Sequence, residues 1–160
     1  MTPNEQLLEA ANNGGLEEAK AAIASGANLN AIDNWEQTPL HKAAKFGPSD
    51  VAQLLIEKGA NLEAKDVWQQ TPLHCAVLHS RADVARLLLE KGADIDAQDE
   101  DKKTPRELAT DDNLAEMVTL LDEARRQHPA LRLRVSEPKP THAEDARDRE
   151  SKRGQRQPGD

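Results

Sequence analysis

The residues able to do chemistry fall at repeated positions. His41 and His74 stand 33 residues apart, and Cys75, the single cysteine, follows His74 directly. Imidazoles and thiolates are metal ligands, and a thiol beside a histidine is also the pair a covalent catalyst needs. The spacing serves neither use. If a 33-residue step carries the chain from one structural unit to the next, the histidines lie roughly 10 Å apart, a layer spacing. They could not share an ion without a third group between them. Neighbouring helical residues do not face each other, so His74 and Cys75 diverge. His74 and His79 are five apart, a poor step for two ligands on one helix. No glycine-rich phosphate loop, nucleophile elbow or zinc spacing occurs. The chain is therefore expected to be no enzyme and to use no cofactor and no metal. Asp33, Asp66 and Asp99 form a second ladder with the same step. An aspartate that starts a turn bonds its own downstream backbone, which accounts for all three. Glu63 and Asp96 add acid nearby, so a basic partner stays open as the other use.

The elements that hold these residues come from an internal repeat. Thr38-Pro39-Leu40-His41 recurs as Thr71-Pro72-Leu73-His74, and again, altered, as Thr104-Pro105-Arg106-Glu107. Residues 34–66 and 67–99 are identical at 18 of 33 positions. Each unit reads as two helices and a loop. Thr38 is placed to cap, and Pro39 stands at the first helical position, where its missing N–H costs nothing. Leu40, Ala43 and Ala44 follow at helical spacing, and Gly47-Pro48 stops the helix. Val51, Leu54 and Leu55 make one apolar stripe of the second helix, and Gly59 ends it. An extended excursion with a turn near Asp66 leads to the next unit. One such helix pair cannot bury both faces, so the units must stack.

The 33-residue step, the Thr-Pro-Leu-His box, the Ala43-Ala44 pair and the Leu-Leu…Gly-Ala endings resemble ankyrin repeats over residues 3 to about 127. The resemblance implies an all-α solenoid of helix-turn-helix units with hairpin-like loops at right angles. Its concave face is made by the loops and first helices. It also implies that His41 and His74 are structural, bonding the backbone and threonine hydroxyls of neighbouring turns. The expected units are 1–33, 34–66, 67–99 and 100–127, the outer two being caps, followed by a flexible charged tail over 128–160. Unit one lacks the Thr-Pro-Leu-His box and has Glu18 where Val51 and Val84 sit. Unit four has Arg106 for Leu, Glu107 for His and Arg125 for Gly, all more polar. The family usually has Gly at the loop tip, where this chain has Glu36, Gln69 and Lys102. A turn with positive φ there is strained.

The resemblance implies a protein–protein interaction module. The aromatic residues sharpen it. There are three, Trp35, Phe46 and Trp68, and the resemblance implies that all three occupy positions the scaffold leaves free. Trp35 and Trp68 fall at loop tips, Phe46 at the end of a first helix beside Lys45, with Leu78 and His79 as the matching pair one unit on. Aromatic side chains are enriched at interface hot spots. The alternative is that the two tryptophans pack on each other's loops; both can hold. The expected partner-binding residues are Trp35, Gln37, Lys45, Phe46, Trp68, Gln70, Leu78, His79, Asp101 and Lys103. An inhibitor or immunity-type protein that occludes a partner enzyme is the second function class.

Charge and composition limit the partner. Residues 1–128 carry 13 Lys/Arg against 23 Asp/Glu, and residues 129–160 carry 8 against 6. An acidic body repels phosphate, so the partner is expected to be a protein with a basic or apolar patch, not nucleic acid. No apolar run approaches a membrane span, and Met1–Glu5 has no signal-like segment. With one cysteine no internal disulfide forms, so a reducing, cytoplasmic setting is expected; a monomer is expected as well. From about residue 136 the chain is too charged and proline-rich to offset its ordering entropy, so disorder is expected there. Leu131, Leu133 and Val135 alternate with arginines in a strand-like pattern.

Overall fold

The computed structural model describes residues 1–46 and 48–127. The expectations for Gly47, for the Leu131–Val135 run and for the tail over 128–160 lie outside those residues. Eight helices occur among the described residues: α1 (Pro3–Asn13), α2 (Leu16–Ala24), α3 (Pro39–Phe46), α4 (Ser49–Glu57), α5 (Pro72–Leu78), α6 (Ala82–Glu90), α7 (Pro105–Asp111) and α8 (Ala115–Gln127). None of these residues is in a strand. The all-α stack of helix pairs expected from the repeat is what the structure shows.

The helices begin where the sequence supplies caps. Thr71 and Thr104 each accept a hydrogen bond from the backbone three residues on, with proline at the first position. At Thr38 the same bond comes from the His41 N–H at 3.3 Å. α1 starts a turn earlier than the 33-residue step would place it, because Thr2, Pro3 and Glu5 form a complete capping box of their own. Each such cap is worth about 1 kcal/mol.

The helices pack in two rows. α1, α3, α5 and α7 touch in succession, and α2, α4, α6 and α8 lie behind them. The core follows the repeat step. Leu7, Leu40 and Leu73 are buried in the first row, and Ala22, Leu55, Leu88 and Leu121 in the second. The Leu7 series turns polar in the last unit, and the series of Val51 and Val84 is polar in the first. The position after Leu73 is Arg106, which is exposed and grips Asp122 on α8 through Nε–Oδ1 (2.7 Å) and Nη2–Oδ2 (3.1 Å). The position before Val51 is the exposed Glu18.

Arg125 shows why a glycine disappears at the last unit. Gly59 and Gly92 follow α4 and α6 with φ near 100° (101° and 100°), a conformation that side chains rarely adopt. α8 does not turn there but continues to Gln127, so Arg125 stays helical. Its guanidinium reaches Asp96 Oδ1 at 2.6 Å. That occupies the acceptor position used one step earlier by Glu63, which accepts from the Asp94 N–H at 2.8 Å, and two steps earlier by Asn30, which accepts from the Asn61 N–H at 2.9 Å.

Candidate functional site: the loop tips and the first-row helices

Three loops share one turn. In the first, the Asp33 N–H donates to the Gln37 carbonyl (3.1 Å) and the Glu36 N–H to the Asp33 carbonyl (3.0 Å). The second and third repeat this with Asp66, Gln69 and Gln70, and with Asp99, Lys102 and Lys103. Asp33 Oδ1 accepts from the Trp35 N–H (2.9 Å) and the Gln37 N–H (3.0 Å). Asp66 and Asp99 make the equivalent pairs. Asp66 and Asp99 are buried and Asp33 is half-buried, so the three carboxylates build turns. Of the two uses open to this ladder, the structure shows the turn-forming one. Asp33 also pairs with Lys42 at 2.6 Å. Burial raises its pKa, but Lys42 and the two backbone N–H groups outweigh that and hold it below the usual carboxylate range.

The fourth position of a five-residue turn of this kind takes a left-handed residue. Glu36, Gln69 and Lys102 take it, with φ of 61°, 61° and 66°. With no glycine at these positions, the chain carries the strain of a side chain there. Hydrogen bonds join the tips: Val67 N–H to the Trp35 carbonyl and Glu100 N–H to the Trp68 carbonyl, both 3.0 Å.

His41 and His74 hold the tips onto the helices. Both are fully buried. His41 Nδ1 accepts the Thr38 N–H at 3.1 Å, so its Nε2 carries the proton and donates to the Gln70 carbonyl of the next loop at 2.8 Å. His74 does the same with Thr71 (3.1 Å) and the Lys103 carbonyl (3.0 Å). Burial pushes both imidazoles below their ordinary pKa. In α7, Glu107 stands in the histidine's place and closes the cap with Thr104.

Among the described residues one trio has metal-ligand chemistry: atoms of His41, Asp66 and Cys75 lie within 4.8 Å of one another, all buried. The hydrogen bonds argue for a structural role. His41 Nε2 gives its proton to Gln70, and Asp66 Oδ2 accepts from Gln37 Nε2 at 3.2 Å. A cation on His41 Nε2 would have to break its bond to Gln70 and reverse the tautomer that caps α3. Burial pushes the Cys75 thiol up to about 12, far from a reactive thiolate.

The expected contact residues divide. Trp35 (52% exposed), Phe46 (48%) and Trp68 (41%) are open. Lys42 Nζ lies 5.8 Å from the Trp35 ring centre, Lys45 Nζ 5.7 Å from that of Phe46, and the Phe46 and His79 rings meet edge-on at 6.0 Å. Arg81 fixes this end of α3 by donating to the Lys45 carbonyl (3.1 Å) and the Phe46 carbonyl (3.2 Å). His79 and Asp101 are exposed; Lys45, Gln70, Leu78 and Lys103 are half-buried. Lys103 pairs with Asp111. Gln37 is the correction. It is only 2% exposed, wedged between Asp66 and Lys45 Nζ (3.3 Å), and supports the surface from below. The residue just after the left-handed turn position points inward to bridge two loops, which the sequence pattern did not distinguish.

Two exposed apolar residues escaped the sequence reading, Ile32 (57% exposed) and Val67 (40%). Their signal was available in the repeat. The matching positions are Lys65 and Gln98 for Ile32, and Asn34 and Glu100 for Val67, all polar, so an apolar residue there has no structural precedent in its own chain.

The family model for ankyrin repeats (3 copies) matches residues 7–99 and again residues 69–127. Among curated proteins, no match to the chain is found. The matched segments take in all three loop tips and most of the helices on which the tips are mounted, and the chain belongs to the ankyrin-repeat family.

Proposed function

We propose that this chain recognises a partner protein through the face made by its loop tips and the exposed side of α3 and α5, and that it catalyses nothing itself. Ankyrin repeats are in general protein–protein interaction modules. One observation supports the finer reading. Apart from Met1, the exposed large apolar residues among those described are Ile32, Trp35, Phe46, Val67 and Trp68, all at tips or at the end of α3. Large apolar groups gathered on one side of an otherwise well-filled scaffold mark an interaction surface. The bonded tips hold these groups in place before binding, which lowers the ordering cost. The proposed contacts are Trp35, Lys45, Phe46, Trp68, Gln70, Leu78, His79, Asp101 and Lys103, with Ile32 and Val67 added and Gln37 in support. The division into four units, the outer two acting as caps, and a monomeric cytoplasmic state belong to the same proposal. No described helix is long and apolar enough to cross a membrane.

The test compares full-length chain with the Trp35→Ala/Trp68→Ala variant as bait for proteins from the source cell. Partner affinity should fall about tenfold or more per hot-spot residue, since about 1.4 kcal/mol is one decade. Stability should change by under about 0.5 kcal/mol per site. A variant that loses several kcal/mol and binds normally once folded would show that the tryptophans serve packing.

A further inference from the structure

The proposed face changes chemistry from one end to the other. Hydrogen bonds join each tip to the next, and the 33-residue step puts positions 35, 68 and 101 in one row, which reads Trp35, Trp68, Asp101. The row beside it reads Asn34, Val67, Glu100, and the row at the helix ends reads Phe46, His79, Asp112. All nine are exposed. Each row has no carboxylate in its first two members and one in its third. Glu100, Asp101 and Asp112 make no ion pair among the described residues, whereas Asp111 is taken by Lys103. Position 36 runs the other way, as Glu36, Gln69 and Lys102, so Lys102 offsets one of the three carboxylates and an acidic excess remains.

We propose that the partner segment is apolar or aromatic where it crosses Trp35 and Trp68 and carries Lys or Arg where it meets Glu100 and Asp101. This rests on the tips being the recognition face. Charge complementarity at one end and unfilled aromatic surface at the other specify the occupant together. The row also sets a spacing. Each tip contributes two hydrogen-bonded chain passes, and passes so joined lie about 4.8 Å apart, so successive tips advance by about 10 Å. An extended segment advances about 3.3 Å per residue. Its two apolar contacts and its cation therefore fall about three residues apart in turn, in either chain direction.

The probe is a displayed library of random dodecapeptides, selected on the full-length chain. Selected peptides should show two apolar or aromatic residues and a Lys or Arg at that spacing. Synthesised and titrated by calorimetry, they should bind Trp35→Ala/Trp68→Ala about tenfold or more weakly. They should bind Glu100→Gln/Asp101→Asn about threefold or more weakly, with affinity falling as salt rises. All four sites are exposed, so unchanged thermal unfolding of both variants is the folding control. Peptides that need the tryptophans but are acidic or neutral, or are indifferent to Glu100 and Asp101, overturn the inference and leave the recognition face standing. Peptides indifferent to both variants overturn the face as well.

Discussion

Glu36, Gln69 and Lys102 sit in the left-handed region without being glycine, at a cost of order 1 kcal/mol each. Replacing Gln69 with Gly removes that strain but adds freedom to the unfolded chain, which returns part of the gain. The net expectation is a stabilisation of up to about 1 kcal/mol, read as a rise in the urea midpoint; a lower midpoint would mean the turn is not strained. The buried histidines make stability depend on pH. Both have folded-state pKa values below their ordinary ones, so the unfolded chain binds the extra proton. Their contribution is intact above about pH 6.5 and is lost as pH falls below it, by at most about 1.4 kcal/mol per pH unit for each. Denaturation across that range should show the slope, and His74→Gln should flatten it. Much of this scale was legible in the sequence: the caps and the turn aspartates follow from residue type and step, and the structural histidines from the resemblance to ankyrin repeats. Gln37 was not, because its direction depends on a loop from the next unit. Ile32 and Val67 stood out only against their own repeat-mates.

At the scale of the element, the helix pairs were readable because cap, proline and apolar stripe all recur in register. The early start of α1 was the exception, since its capping box does not lie on the 33-residue step. Leu73 lies fully buried on α5 in the row shared with Leu7 and Leu40. Leu73→Ala should cost about 2–5 kcal/mol by leaving a cavity between units, measurable by chemical denaturation. A loss below about 1 kcal/mol would mean the row is not a packed core. Arg81 has a different duty. Its two bonds to carbonyls at the end of α3 are charge-assisted, and losing them should cost about 1–3 kcal/mol. Arg81→Lys should recover little, because an ammonium cannot place two donors in a fixed fork.

Across the whole molecule, stability is a sum of unit and neighbour terms. Removing residues 1–33 would uncover Leu40, Ala43 and Val51, so the shortened chain should aggregate or unfold on purification. The recognition account makes a demand that the chain's own composition renders unusually direct. It has two tryptophans and no tyrosine, and both tryptophans stand at the tips. Intrinsic fluorescence therefore reports on the proposed face. In the free protein the emission should be that of solvent-exposed indole and should be quenched by acrylamide. Titration with a tryptophan-free partner, its binding followed in parallel by calorimetry, should shift the emission to the blue and protect it from quencher. Saturable binding that leaves both emission and quenching unchanged would contradict the account and place the partner away from the tips.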